Sequence, residues 1–100
     1  MKKPARQYSM VEMIKVERSF KEKREMLQRL FNTIYHPAIA YTTFSRLDQA
    51  ANLLKEIRYL TITMAVMSGK SRAEVCETVG ISRARISQII TETLALYGIE

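Results

Sequence analysis

Between residues 71 and 91 the chain reads SRAEVCETVGISRARISQIIT, and no other stretch limits the possible folds so tightly. Ser71 with Glu74 three residues on has the pattern of a capping box, which predicts a helix over about 72–78. Gly80 follows where a turn needs a positive φ, a conformation that only glycine adopts cheaply. Ser82 is a natural N-cap for a second helix. Val75, Cys76 and Val79 fall on the inner face of the first helix and Ile81 beneath the turn. Ile86 and Ile89 form the inner face of the second, with Ile90 and Leu94 continuing into the body. Cys76 takes a slot where a small side chain lets the helices approach, so burial and packing are expected of it and not redox chemistry. Two short helices joined in this way form a helix-turn-helix, which docks its second helix in the DNA major groove.

The outward face of that second helix carries Ser82, Arg83, Ala84, Ser87, Gln88 and Thr91, the residues expected to meet base edges. Arginine binds guanine O6 and N7 in bidentate fashion, glutamine does the same with adenine, and alanine meets a thymine methyl. Lys70, Arg72 and Arg85 stand to the side, where a cation grips phosphate and positions the protein without reading sequence. Glu74 and Glu77 are expected to point away from DNA. The plainer reading makes Arg83 and Arg85 solvated charges on a surface helix. Base readers sit at this end of a recognition helix, which favours the first reading.

One hundred residues suffice for one domain with a core and not for two. With 47% hydrophobic residues, three glycines and two prolines, a helical domain is expected and disorder is not. No run of eighteen apolar residues occurs, so no transmembrane helix is expected. MKKPARQYSM lacks the apolar core of a signal peptide, and a single cysteine fits a reducing cytosol. The net charge of +6 suits a polyanionic partner, but it is unevenly placed. Residues 1–35 hold nine Lys/Arg against four Glu, whereas residues 70–100 hold four basic against four acidic groups. Attraction is therefore expected from the N-terminal third and readout from a neutral motif.

Residues 1–9 read as a basic tail, either frayed or an arm in which Lys2, Lys3 and Arg6 touch DNA. A long helix is expected over 10–35, since no Gly or Pro interrupts it. Met13, Val16, Phe20, Lys23, Leu27, Leu30 and Ile34 follow at three- and four-residue steps, a heptad-like seam. That seam either packs on its own domain or pairs with a second copy, and the symmetry of DNA operators favours a dimer arm. Lys21 and Glu25 at i,i+4 are expected to pair on the solvated face. His36-Pro37 ends the helix, and His36, without ligand-type residues at metal spacing, is read as a helix-end residue. Residues 37–44 are expected to form a loop or an irregular turn.

Ser45 and Asp48 resemble another capping box, predicting a core helix over 45–68 that starts near Arg46. Leu47, Ala50, Leu54, Ile57, Leu60, Thr61 and Met64 are expected to face the core, with Asp48, Asn52, Lys55, Glu56 and Tyr59 opposite. Gly69 is placed as a left-handed cap. The helix-turn-helix then spans 71–97, leaving Ile99 and Glu100 as a tail. The expected architecture is thus all-α: a compact helical domain of four to five helices, with a long N-terminal helix and a C-terminal helix-turn-helix.

SRAEVCETVG, preceded by Met67-Ser68-Gly69-Lys70, resembles the helix-turn-helix opening of the PapB-type fimbrial-operon regulators. With Ile86-Ser87-Gln88 in the second helix, the stretch is also similar to the TrfB/KorA-type plasmid repressors. The resemblance covers 67–93 and implies a small bacterial or plasmid transcription regulator that binds operators as an oligomer. It implies Arg83, Ser87 and Gln88 as readers by position. The recognition helix SRARISQII departs from the fimbrial group, and residues 1–45 match neither family.

The first expectation is accordingly a dimeric, sequence-specific DNA-binding regulator, a repressor, at work on cytoplasmic double-stranded DNA. A protein-interaction adaptor for RNA polymerase, or a phage or plasmid accessory factor, is the alternative. An enzyme is not expected, because the chain has one His, one Cys, no phosphate loop and no paired carboxylates outside the caps. No metal, cofactor, membrane or small-molecule ligand is expected either.

Overall fold

Ser9 starts the first helix by a reciprocal cap: its side chain accepts from the Glu12 N–H at 3.1 Å and its own N–H donates to the Glu12 carboxylate at 2.9 Å. The computed structural model describes residues 7–33 and 40–99. Within them lie four helices, α1 Met10–Asn32, α2 Ala40–Met67, α3 Arg72–Val79 and α4 Arg83–Leu96, and no strand. Lys2, Lys3, Arg6, Ile34, His36 and Glu100 fall outside the described residues. Tyr8 packs on the core, so the tail expected over 1–9 is docked at least from that residue.

α1 and α2 form an antiparallel hairpin. The Arg46 guanidinium donates to the Thr33 carbonyl, and the Lys23 ammonium meets the Glu56 carboxylate at 2.9 Å. That register sets Val16 level with Thr63, and both are fully buried. The Thr63 hydroxyl donates to the Tyr59 carbonyl at 2.9 Å, so a polar group at the core centre is satisfied within its own helix. The heptad-like seam of α1 therefore packs on α2 of the same chain. Lys23 avoids desolvation by reaching Glu56 at the edge of the seam. On the outer face Lys21 pairs with Glu17 at 3.0 Å and not with Glu25. A glutamate one turn N-terminal to a lysine is the better orientation.

α2 begins earlier than the expected start near Arg46. Ala40 to Phe44 join the helix, and Ser45 and Asp48 lie inside it and cap nothing. Its inner face is also rotated from the one expected. Ala50 and Leu60 are buried and Leu53 and Ile57 half-buried, whereas Leu47, Leu54 and Thr61 are exposed. Two apolar stripes run along this helix about one residue apart, and only one of them meets α1. Beyond Leu60 the helix enters the core from several sides, burying Ile62, Thr63 and Met67. It exits through a Schellman turn, with the Lys70 N–H on the Ala65 carbonyl at 3.0 Å and the Gly69 N–H on Val66 at 3.1 Å.

The core gathers where α1, the end of α2, α3 and α4 meet: Val16, Leu60, Ile62, Val75, Ile86, Ile89, Ile90 and Leu94. The chain closes on it through a second Schellman turn. Gly98 adopts φ 69°, and the Ile99 N–H reaches the Leu94 carbonyl at 3.0 Å. Ile99 is thereby folded under α4 and buried, not left as a tail. Near it the Tyr97 and Ser19 hydroxyls share a hydrogen bond of 2.5 Å that ties α4 to α1.

Candidate nucleic-acid interface

α3 is only eight residues long, so its ends must be held by side chains and turns. The Ser71 side chain accepts from the Glu74 N–H at 3.1 Å. Glu74 returns no bond to the Ser71 N–H, so the expected capping box is one-sided. At the other end Gly80 sits at φ 78°, ψ 28°, and its N–H donates to the Cys76 carbonyl at 2.8 Å. This is the left-handed conformation that the turn requires. Ser82, two residues later, accepts from the Arg85 N–H at 3.1 Å and starts α4.

α4 divides by face. Ile86, Ile89, Ile90, Thr93 and Leu94 are buried against α2 and α3. Ala84, Gln88 and Thr91 are exposed together on the opposite side, with Ser87 half-buried at its margin, while Arg83 is exposed in the first turn, in line with the buried Ile90 two turns on. Ser82 is exposed too, but its oxygen is engaged as the cap. Lys70 and Arg72 are exposed at the start of α3, as are Glu74 and Glu77. Of the inner residues of α3, Val75 is buried and Val79 and Ile81 are half-buried against the core. Cys76 is half-buried and not buried as expected, because Val75 takes the central slot on this short helix.

Arg85 is the departure that bears on chemistry. Its Nη2 donates to the Tyr59 hydroxyl and its Nη1 to Gln88 Oε1, each at 2.9 Å, and its guanidinium lies 5.7 Å from the centre of the Tyr59 ring. A guanidinium carries only donors, so it holds the amide oxygen of Gln88 and leaves the amide NH2 facing outward. In that state Gln88 offers two donors and has one lone pair of its oxygen in use. Such a group suits acceptors, namely guanine O6 and N7 or thymine O4, better than the bidentate adenine pairing expected from sequence.

Lys55 and Tyr59, expected on the face of α2 away from the core, belong to this region, and so does Arg58, which the sequence did not single out. Tyr59 is half-buried between α2 and α4, Lys55 lies 5.7 Å from the centre of its ring, and Arg58 donates to the Val79 carbonyl at 3.5 Å. An aromatic residue within a charged helical face, with lysine at i−4, was the available signal. Among the described residues no cluster of His, Cys, Asp or Glu could hold a metal ion, and no helix is long and apolar enough to cross a membrane. No protein-family model matches the chain, and neither does any curated protein or solved structure.

Proposed function

We propose that the chain is a sequence-specific DNA-binding transcription regulator, with α3 and α4 as a helix-turn-helix and α4 reading the major groove. One observation carries the reading. Across a left-handed Gly80 two helices bury one face each, and the second leaves Arg83, Ala84 and Gln88 exposed in its N-terminal half, with Thr91 one turn further on. That is the part of a recognition helix that meets base edges. Lys70 and Arg72 supply phosphate contacts at the start of α3. The resemblance of 67–93 to operator-binding regulators adds support from the sequence side.

The regulator works as a dimer, through a surface other than the α1 seam. Phe44, Leu47 and Leu54 are 65%, 47% and 50% exposed and continue one stripe of α2 with Ala51. Apolar groups in such a row are the kind a second copy covers. An adaptor that docks another protein would use the same stripe and would need no base-reading face.

The test is the contribution of Arg83. Replacing it with alanine should weaken binding to the preferred duplex by about 1–3 kcal/mol and relax selectivity at one base pair. Equal affinity of variant and parent would remove Arg83 from the reading set.

A further inference from the structure

We propose that the groove between α2 and α4 seats a backbone phosphodiester of the duplex that α4 reads, gripped by Lys55, Arg58 and Arg85. The proposal rests on the DNA-binding reading and adds to it a second point of attachment, on α2. The groove is open, encloses about 430 Å³, and is walled by Ile81 and Ile89 with Tyr59 between the cations. Its lining holds three cations and no carboxylate. Among the described residues none of the three is paired with an acid, whereas Lys21 and Lys23 are. Three like charges around one cavity repel one another unless an anion joins them.

The donors are also available. A guanidinium has five N–H groups and an ammonium three. Arg85 uses one N–H on Tyr59 and one on Gln88, and Arg58 uses one on the Val79 carbonyl. Lys55 leans on the Tyr59 ring, leaving its N–H groups free. The remaining forked donors match the tetrahedral oxygens of a phosphodiester. The walls, Ile81 and Ile89, suit the apolar edges of a deoxyribose. Position selects the source of the phosphate. Ile81 belongs to the turn beside the α4 cap, and Arg85 already holds a residue of the reading face, so a strand flanking the read bases passes here.

The experiment measures binding to the preferred duplex and to a scrambled one over a range of salt. It uses the full chain, the double variant Lys55→Ala/Arg58→Ala, and Arg83→Ala. Both changed α2 residues are exposed, and far-UV circular dichroism checks that the fold is kept; Lys55→Gln/Arg58→Gln replaces the double variant if it is not. The double variant should lower the slope of log K against log salt by roughly 1 and weaken both duplexes alike, keeping the preference between them. Arg83→Ala should instead erode that preference. An unchanged slope in the double variant overturns the proposal while leaving the DNA-binding reading intact. Adenosine monophosphate shifting the Arg85 and Tyr59 resonances without DNA, with the slope again unchanged, assigns the groove to a free phosphate compound and also overturns it. A parent that binds neither duplex removes the reading itself, and the proposal with it.

Discussion

At Gly80 the backbone turns through φ 78° with no heavy atom within 4 Å of the place where a Cβ would stand. The cost of a side chain there is conformational and not steric. Gly80→Ala should lower unfolding stability by about 1–2 kcal/mol in a urea titration while keeping the fold, and Gly80→Asn should cost less. Gly80, Ser71 and Ser82 were legible in the sequence because their jobs are local: each serves atoms within four residues. Tyr59 was not, because its partner Arg85 is twenty-six positions away and arrives only when α4 folds back. Removing that hydroxyl releases one of Arg85's two anchors. Tyr59→Phe should therefore change base preference at the position contacted by Gln88, with a stability change of about 1 kcal/mol or less. A selection profile identical to the parent's would show that the Tyr59–Arg85–Gln88 chain does not orient the reader.

The Ser-x-x-acid spelling does not decide where these helices begin. Ser82 lacks an acidic partner at position 85 yet caps α4, and Ser45 has Asp48 yet lies inside α2. Capping side chains stabilise a start that other forces have chosen. Here Ala40 to Phe44 contain no Gly or Pro to stop the helix, and Arg46 is already engaged on the Thr33 carbonyl of α1. Ser82→Ala should thus cost about 0.5–2 kcal/mol, whereas Ser45→Ala should stay within about 0.5 kcal/mol by thermal or urea unfolding. The inner face of α4 was legible from its isoleucines. The inner face of α2 was misjudged by one residue, because a helix apolar on two neighbouring stripes does not say which one its partner covers. That ambiguity ends only when α1 docks with Lys23 against Glu56.

The described chain measures 63 × 29 × 18 Å, with the core at one end and much of the α1–α2 hairpin beyond it. Phe44 and Leu47 belong to that hairpin and are exposed. If a second copy covers this stripe, Phe44→Asp should turn a dimer into a monomer in sedimentation equilibrium without lowering the unfolding stability of the domain. A parent that sediments as a monomer would contradict the dimer. The charge account also changes at this scale. Sequence placed the attraction in residues 1–35 and left the motif neutral, since charges were counted along the chain. Folding brings Lys55 and Arg58 of α2 beside Arg85 of α4, so part of the positive charge stands next to the helix proposed to read DNA.

The central claim is that α4 reads duplex DNA, and selection of bound sequences from random duplexes tests it most directly. The account predicts one enriched site, carried by Arg83 and Gln88, and for a dimer two inverted half-sites spaced near a whole number of helical turns. Weak binding that follows salt alone, with no enriched sequence after repeated selection, would contradict it.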